Sequence, residues 1–466
     1  MGGQEEMHET YEVIVVGGGA GGVAAALRSA QLGGKVAVVE EKHLGGICMN
    51  RGCVPFGHMM VASHFLGDLT LAKEMGIACS EVSKDLAALL SRQNELIAFM
   101  QQGVKTMLNK RQVTTVMGKG RLSSPGRVEV NGKSLEGRNI ILASGGRWVK
   151  PEFQGGDLPE VVSSDYLLTA KTLPRRCLLQ GGGPWSIEIA QFLNRYGSQV
   201  WLVTREESLL AGESKPIRSR LSKALQAQGI SILPGAEILA LKRNTAGVEI
   251  VMSVKGKEEN FEVDLVITLR RGAALQGLGL ETLGMNDAAE FLPVNERMET
   301  GVKGFYAIGD LTAPEKKQYS HQASLGGFVA ADNAMGLSRS MDGGTLTRII
   351  FTQPQVACVG LTSKEAKEQG HEAVVGSAPL SMNTFGMMAA QTEGLVEVVA
   401  EKRYGQILGI HMIGDGVSEM AGQGVLAVQQ EMTLEELAQT TFPHPTLSES
   451  LAEAARDALG IPIYLP

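Results

Sequence analysis

Short apolar runs and small-residue stretches follow one another in a repeating order along the chain. An apolar run at residues 13–16 leads into glycines, then into a small-residue stretch over 23–32 and a second apolar run at 36–39. Uninterrupted runs of this length are typical of strands buried on both faces, so the order predicts a βαβ unit. The same order returns from residue 177 and predicts a second unit of this kind.

The remaining segments have other patterns. Residues 84–111 carry leucines at near-helical spacing and predict a long amphipathic packing helix. Residues 127–145 predict a hairpin followed by a strand. From about residue 346, strand-like runs alternate with helical runs at 417–430 and 434–440. We therefore predict an α/β fold with two Rossmann-like dinucleotide-binding domains and a C-terminal α+β domain.

Glycines in the first predicted unit have the spacing of a dinucleotide-binding turn. Gly17, Gly19 and Gly22 form G-x-G-x-x-G between the strand and the helix. In such a turn the first glycine permits the bend, the second lets a pyrophosphate approach, and the third lets the helix pack on the strand. Glu40 ends the next strand, where a carboxylate accepts hydrogen bonds from an adenosine ribose. The alternative is a glycine-rich turn of another α/β fold.

The second unit repeats this turn with one important change. Gly181 and Gly183 take the places of the first two glycines, and Thr204 stands at the position equivalent to Glu40. Arg205 follows Thr204 directly. Two such units in one chain predict two cofactors, with electrons passing between them. The alternative is a duplicated domain that has lost its ligand.

Charge and hydropathy exclude several classes of protein. The 43 Lys and Arg against 50 Asp and Glu give a net charge of -7 without a basic block, so we expect no nucleic-acid binding. The longest charge-free apolar stretch, residues 13–27, is shorter than the ~18–20 residues that a membrane span needs. Residues 1–11 are acidic and lack the apolar core of a secretory signal, so we expect a cytoplasmic protein.

Two of the five cysteines lie close together. Cys48 and Cys53 are separated by four residues. They can form a redox-active disulfide, a reduced structural pair or part of a zinc site, and we favour the disulfide because no familiar zinc spacing is completed nearby. No metal site is therefore expected. A helix starting near Gly46 would lower the thiol pKa and favour the reactive thiolate. The other three are predicted to be small core residues: Cys79, Cys177 and Cys358.

A histidine near the C-terminus is the candidate proton carrier. His444 is followed at the fifth position by Glu449, and a carboxylate behind an imidazole fixes its tautomer and raises its basicity. A histidine in a proline-flanked loop is more often structural. The functional interpretation is favoured here because a dithiol elsewhere in the chain needs a proton acceptor.

These motifs, in this order, resemble the class I pyridine nucleotide–disulfide oxidoreductases, and most closely the dihydrolipoamide dehydrogenase family. GGICMNRGCVP resembles the family's redox-disulfide motif and HPTLSE its catalytic C-terminal motif. FYAIGD is similar to its second FAD motif, FTQPQVACVG to the opening of its dimerisation domain, and ASGG, which includes Ser144 and Gly145, to its ATG turn.

The resemblance implies a homodimer with FAD beside the redox cysteines. It makes Cys53 the thiol nearest the flavin and Cys48 the interchange thiol that attacks or releases substrate. His444 of the partner subunit would be the acid–base, oriented by Glu449, and Asp310 would hydrogen-bond the flavin ribityl chain. The implied domains are a first part of the FAD domain, an NAD(P) domain, a second part of the FAD domain and a dimerisation domain, at 1–150, 151–270, 271–345 and 346–466.

One departure from the family concerns the flavin surroundings. Family members usually have a Lys four residues after the second cysteine, paired with a Glu near the flavin. Gly57 occupies that position here, next to His58, whereas the partner Glu188 remains. A carboxylate without its Lys is expected to make the flavin harder to reduce or to shift its reactivity.

A second departure concerns the nicotinamide cofactor, which is either NAD or NADP. Thr204 removes the acid that selects NAD, Arg205 offers a cation to a 2′-phosphate, and Ser186 in place of the third glycine also favours NADP. Glu206 and Glu207 follow at once, and most dihydrolipoamide dehydrogenases use NAD. Both cofactors remain open.

The resemblance predicts an enzyme that oxidises a dihydrolipoyl-type dithiol, or runs in reverse, with a lipoylated carrier protein as candidate partner. Two rivals are an NADPH-dependent disulfide reductase of the glutathione reductase kind and a flavoprotein subunit without turnover. The chain has both cysteines as well as His444 and Glu449. A flavoprotein subunit without turnover has no need for all four, so this combination argues against the second rival.

Overall fold

The computed structural model describes residues 10–245, 247–314, 318–341 and 346–466. They form two compact units, each assembled from separate stretches of the chain. The first unit lies within Met1–His58, Leu86–Lys150 and Arg270–Gly344, and the second within Met59–Asp85, Pro151–Leu269 and Thr345–Pro466. Residues 1–9, which bear on the predicted lack of a secretory signal, and residues 342–345, at a predicted domain boundary, lie outside the described residues.

The strands are numbered in chain order: β1 (Thr10–Val16), β2 (Val36–Glu40), β3 (Thr114–Met117), β4 (Arg121–Ser124), β5 (Arg127–Val130), β6 (Lys133–Leu142), β7 (Gly146–Trp148), β8 (Val161–Val162), β9 (Arg176–Gln180), β10 (Gln199–Thr204), β11 (Ser231–Pro234), β12 (Ala236–Asn244), β13 (Gly247–Val254), β14 (Lys257–Val263), β15 (Leu265–Thr268), β16 (Arg271–Ala273), β17 (Phe305–Ala307), β18 (Thr347–Ile350), β19 (Val356–Gly360), β20 (Ala373–Pro379), β21 (Leu395–Glu401) and β22 (Ile407–Ile413).

The helices are α1 (Ala20–Gln31), α2 (Gly46–Arg51), α3 (Cys53–Glu74), α4 (Leu86–Lys110), α5 (Pro184–Arg195), α6 (Lys215–Ala227), α7 (Ser320–Ala334), α8 (Ser363–Glu368), α9 (Thr384–Met388), α10 (Val417–Gln429), α11 (Leu434–Gln439) and α12 (Glu449–Ala458). None of the described helices is long and apolar enough to cross a bilayer.

The sheet of the first unit explains the uninterrupted apolar run near the start of the chain. Its strands follow the order β3-β2-β1-β6-β5-β4, and β17 pairs in parallel with β6. The central strand β1 runs parallel to β2 and β6, while β4, β5 and β6 form an antiparallel meander. Val13 and Val15 pack with helices α1, α4 and α7, and Ile14 and Val16 pack with the meander. Both faces of β1 are therefore buried, which leaves no polar alternation.

Helix α1 begins three residues before the predicted start at residue 23. Its first turn contains Gly22, which has a low helix propensity and masks the beginning of the helix in the sequence. A Cβ at Gly22 would collide with the carbonyl oxygen of Gly17, so the close approach of α1 to the preceding turn requires glycine there. Tertiary packing thus overrides the local preference.

The second unit repeats the parallel arrangement. Its strands follow the order β11-β10-β9-β15-β8, with every pairing parallel, and α5 follows β9 as α1 follows β1. The meander β12-β13-β14 covers one face of this sheet, where Leu178 and Val203 pack with Ile250 and Val263. The second glycine-rich turn therefore also leads from a buried strand into a helix.

An antiparallel sheet lies in the C-terminal part of the second unit. Its order is β18-β19-β22-β21-β20, and helices α10 and α12 bury one face of it through residues such as Met420 and Leu451. The predicted helices at 417–430 and 434–440 correspond to α10 and α11 within one residue, and the predicted helix at 84–111 corresponds to α4. The predicted hairpin at 127–145 corresponds to β5 and β6.

Candidate active site

The two neighbouring cysteines lie at a break between helices. Cys48 is in the first turn of α2, Gly52 interrupts the helix, and Cys53 opens α3. The backbone before α2 is joined to the first glycine loop, because the N–H of Gly45 donates to the carbonyl of Gly18 at 2.7 Å. The first unit thus brings the cysteine pair to the first nucleotide loop, as the short sequence separation predicts.

The two cysteine thiols influence each other's pKa. The structure shows them as thiols joined by a hydrogen bond. That bond lowers the pKa of Cys48 to about 6 against the opposing effect of burial, with help from the Ser320 hydroxyl. The same bond, with desolvation of the sulfur, raises the pKa of Cys53, although part of this residue stays exposed. The pair loses its first proton readily and its second with difficulty, which suits a dithiol that reacts as a single thiolate.

Ser320 is a site residue that the sequence did not reveal. Its Oγ lies 3.7 Å from the Cys53 Sγ, and it is the first residue of α7. A helix N-terminus favours negative charge, so Ser320 and α7 together stabilise a thiolate at this pair. No local pattern marks Ser320, which is 267 residues from Cys53.

The first glycine loop has the shape that a dinucleotide needs. A Cβ at Gly17 would collide with the Ala143 carbonyl, whereas a Cβ at Gly19 would meet only the Gly46 Cα, at 3.7 Å. The loop is therefore closed on the protein side and open at Gly19, the N-cap of α1. Because phosphates bind at such N-termini, the predicted residues fit the pyrophosphate of FAD.

Glu40 is held at the edge of this loop by backbone groups. Its Oε2 accepts from the N–H of Gly18 at 2.7 Å, and its Oε1 accepts from the N–H groups of Lys42 and His43 at 2.8 and 3.2 Å. Each carboxylate oxygen can accept more than one hydrogen bond. The carboxylate is thus oriented beside the loop with capacity left for a ribose hydroxyl.

Asp310 lies in a polar corner of the same unit. Its Oδ2 is 3.4 Å from the Nη1 of Arg271, and both side chains are largely buried. Burial raises the pKa of Asp310, and Arg271 opposes this effect. Ser144 donates to the Ala274 carbonyl at 3.0 Å, and the Ala274 N–H donates to the carbonyl of Gly145. The predicted Ser144, Gly145 and Asp310 are thus joined through β7 and β16, and Arg271 is a second residue that the sequence did not reveal.

The second glycine loop also leads from a strand into a helix, but it has no carboxylate at the position equivalent to Glu40. Gly183 caps α5, and within the described part of the chain a Cβ there would meet no atom within 4 Å, so this loop is also open at its second glycine. Thr204 is buried, and its hydroxyl accepts from the Glu206 N–H at 3.2 Å. Arg205 is exposed and forms an ion pair with Glu237 at 2.7 Å. The cation that the sequence offered to a 2′-phosphate therefore already has a carboxylate partner.

Gly57 stands at the position of the missing lysine. A Cβ at Gly57 would meet no atom of the described residues within 4 Å, so the position has room for a side chain. His58 does not replace the lost charge, because burial and the charge of Arg92 lower its pKa. In the second unit, Glu188 accepts from the Phe351 N–H at 2.8 Å.

The C-terminal pair is formed as the sequence spacing suggests. The Nδ1 of His444 lies 3.0 Å from the Oε1 of Glu449, whose Oε2 accepts from the Thr446 N–H at 2.9 Å. Partial burial acts to raise the pKa of Glu449, but the hydrogen bonds from Thr446 and His444 hold it below its ordinary value. The ionised carboxylate accepts the Nδ1 proton and leaves Nε2 as the basic nitrogen of this exposed ring.

Comparisons with known proteins find similar sequences over nearly the whole chain. Residues 11–332 match the family described as pyridine nucleotide-disulphide oxidoreductase, and residues 346–455 match its dimerisation domain. A dihydrolipoyl dehydrogenase of Thermus scotoductus is 33% identical over 453 residues, which is 96% of this chain and 97% of that protein. Dihydrolipoyl dehydrogenase 3 of Pseudomonas aeruginosa is 32% identical over 465 residues, covering 97% and 99% of the two chains.

A solved structure shows the same fold. The Cu(II) complex of the HOCl-induced flavoprotein disulfide reductase RclA from Escherichia coli superimposes with a TM-score of 0.84 at 22% identity, over 96% of this chain and 99% of that chain.

The predicted α/β fold with two nucleotide-binding folds and a C-terminal dimerisation domain is confirmed, as are an enzymatic function and the use of FAD and NAD(P). The chain belongs to the pyridine nucleotide–disulphide oxidoreductases.

Proposed function

We propose that this enzyme oxidises a dihydrolipoyl-type dithiol and passes the electrons through Cys48 and Cys53 to FAD and then to NAD(P)⁺. The hydrogen-bonded thiol pair beside the first glycine loop, with a first pKa of about 6, carries this proposal. The full-length similarity to proteins named dihydrolipoyl dehydrogenase supports the substrate class. The same residues serve the reverse direction.

The proposed exchange begins with a Cys48–Cys53 disulfide. One substrate thiolate attacks the Cys48 sulfur and releases Cys53 as a thiolate, and the second substrate thiol then displaces Cys48. The substrate leaves as a disulfide, oxidised by two electrons, and the cysteine pair is left reduced. The low pKa of Cys48 makes it a good leaving group in the second step and a good nucleophile in the reverse direction.

We propose that His444 transfers the protons of this thiol exchange. Glu449 accepts from the Nδ1 side, so Nε2 removes the proton of the attacking substrate thiol and later releases it. We propose that this histidine acts on the cysteines of the partner subunit in a homodimer, which the match to the dimerisation domain supports. The cytoplasmic location stays a prediction.

FAD supplies an acceptor of two electrons that can hand them on as a hydride. We propose that Gly17, Gly19 and Gly22 hold its pyrophosphate, that Glu40 binds its ribose, and that Asp310 meets the ribityl chain. Ser144 and Gly145 would shape the backbone around it. The open space at Gly19 and the fixed Glu40 carboxylate support this assignment.

The nicotinamide nucleotide is assigned to the second loop, at Gly181 and Gly183, with Glu188 on the following helix. Thr204 offers no carboxylate to repel a 2′-phosphate, which favours NADP, whereas the Arg205–Glu237 ion pair opposes phosphate binding by Arg205. We therefore propose that the second loop binds either NAD or NADP.

The decisive experiment supplies the FAD-loaded protein with free lipoamide, a lipoylated carrier protein or oxidised glutathione, each with NADH and NADPH. Turnover of a lipoyl substrate that Cys48→Ser abolishes is the expected result. Turnover of glutathione with NADPH alone would instead indicate a glutathione reductase-like enzyme. Bound FAD without turnover of any disulfide would indicate a non-catalytic flavoprotein subunit.

A further inference from the structure

A row of polar side chains crosses the antiparallel sheet of the second unit. Arg348 of β18 pairs in register with Cys358 of β19, which pairs with His411 of β22, which in turn pairs with Glu397 of β21. Residues directly opposite one another on neighbouring strands point to the same face of a sheet. The other face of the sheet carries the apolar core with α10 and α12, so this polar row is separate from that core.

The row meets an acidic side chain from the segment before α6. Glu213 accepts hydrogen bonds from Arg348 through both carboxylate oxygens, one of them at 2.8 Å from Nη2. Cys358 and His411 are fully buried and Glu213 is nearly so. A thiol, an imidazole and a carboxylate, the side chains that bind transition metals, thus meet in one water-poor place, although the sequence predicted Cys358 only as a core residue.

The imidazole of His411 has an unused lone pair. Its Nε2 lies 3.0 Å from the Leu361 carbonyl, which can only accept, so Nε2 carries the proton. Its Nδ1 is therefore a bare acceptor, and it is buried without a hydrogen-bond partner among the described residues. Buried acceptors without a partner are rare because their desolvation is not compensated. A cation at Nδ1 would supply the missing partner.

We propose that Glu213, Cys358 and His411 form a structural Zn²⁺ site. One carboxylate oxygen, the Cys358 Sγ and the His411 nitrogen lie within 4.8 Å of one another. Zinc bonds of about 2.0–2.3 Å place ligands of a tetrahedral ion about 3.5 Å apart, so small side-chain rotations close the site. Glu397, opposite His411 in the row, is the candidate fourth ligand.

The surroundings match those of known zinc ligands. A metal-bound histidine commonly donates its other ring N–H to a carbonyl, and a metal-bound carboxylate is itself hydrogen-bonded, as His411 and Glu213 are here. Burial raises the pKa of Cys358 and lowers that of His411, so the free site holds a thiol and a neutral imidazole. Binding of Zn²⁺ replaces the thiol proton by a sulfur–zinc bond and releases one H⁺ without any change of oxidation state.

The ligand set favours zinc over Mg²⁺ and Ca²⁺. Mg²⁺ and Ca²⁺ prefer all-oxygen sites, whereas thiolate with imidazole suits a borderline soft ion. The bound ion would tie the segment before α6, which carries Glu213, to strands β19 and β22 of the sheet. We assign it no part in the disulfide chemistry.

The test uses the FAD-loaded protein with Cys48→Ser and Cys53→Ser, so that the redox thiols cannot bind metal. After removal of metal with EDTA, the protein is dialysed against ZnCl₂, and bound zinc is measured by mass spectrometry. X-ray absorption then identifies the ligands. We expect one Zn²⁺ per chain with one sulfur at about 2.3 Å, and a melting temperature that rises with zinc.

Added to that protein, Cys358→Ser should lose this zinc and the rise in melting temperature, whereas Cys177→Ser, at another buried cysteine, should keep both. If Cys358→Ser does not fold, His411→Gln decides, because its amide can still donate to the Leu361 carbonyl. A protein that retains no zinc, zinc without a sulfur ligand, or equal zinc in a folded Cys358→Ser or His411→Gln variant would overturn the proposal.

Discussion

The two glycine loops share one βαβ frame and differ at two equivalent positions. In the first, Gly22 brings α1 against the Gly17 carbonyl, and Glu40 is held by three backbone N–H groups. In the second, the buried Ser186 fills the place of Gly22, and the hydroxyl of Thr204 stands where the carboxylate would be. A βαβ frame thus fixes where a pyrophosphate can bind, while single side chains decide what else the loop recognises.

The loops also differ in what lies beside them. The backbone of the cysteine segment is hydrogen-bonded to the first loop through Gly45 and Gly18. The second loop is followed in sequence by the segment that carries Glu213, part of the proposed zinc site.

The largest effect is expected from a substitution that interrupts the electron path at the first loop. Cys48→Ser should lower disulfide turnover by more than about 1000-fold, because it deletes the attacking sulfur. FAD should stay bound, since Cys48 is not part of the glycine loop. Turnover and the flavin absorbance are measured together. Cys79→Ser, at an exposed cysteine, is the control, and full activity of Cys48→Ser would remove the proposed role.

The next effect tests the packing difference between the loops. Gly22→Ala should destabilise the protein by about 1–3 kcal/mol and reduce its FAD content, because the added Cβ collides with the Gly17 carbonyl. Ser186→Ala at the matching position of the second loop should cost less than about 1 kcal/mol. Urea unfolding and FAD content are measured for both variants. Equal losses would show that the two helices approach their loops in the same way.

A smaller effect tests the missing acid of the second loop. Thr204→Glu should shift the preference toward NADH by about tenfold, since the new carboxylate repels a 2′-phosphate. Glu237→Gln should act in the opposite direction by a few-fold, because it releases Arg205 from its exposed ion pair. The ratio of kcat/KM for NADH and NADPH is measured for each variant. Parallel shifts in the two variants would contradict the assigned roles.

Local spacing predicts the parts of the site whose members are close in the chain. The glycine turns, the cysteine pair and the pair of His444 and Glu449 each lie within a few residues, so a single turn or helix brings their members together. Ser320 is 267 residues from Cys53 in the sequence. The two residues meet only when α7 packs within the folded first unit, so no local pattern predicts their contact. Local preference places the start of α1 too late. Glycine has a low helix propensity, yet the packing of α1 requires it at Gly22.

The smallest expected effect concerns the first proton lost by the thiol pair at the first loop. In the reduced protein, alkylation of Cys48 by iodoacetamide should rise as the pH increases through about 6, the pKa of this thiol, because only the thiolate reacts. The Cys53 hydrogen bond contributes most to this lowered pKa and Ser320 contributes less, so Ser320→Ala should raise the pKa by less than about one unit. The rate at pH 6 should therefore fall by a few-fold, while the rate at pH 9 stays unchanged. A loss of equal size at both pH values would mean that Ser320 positions the thiols without tuning their charge.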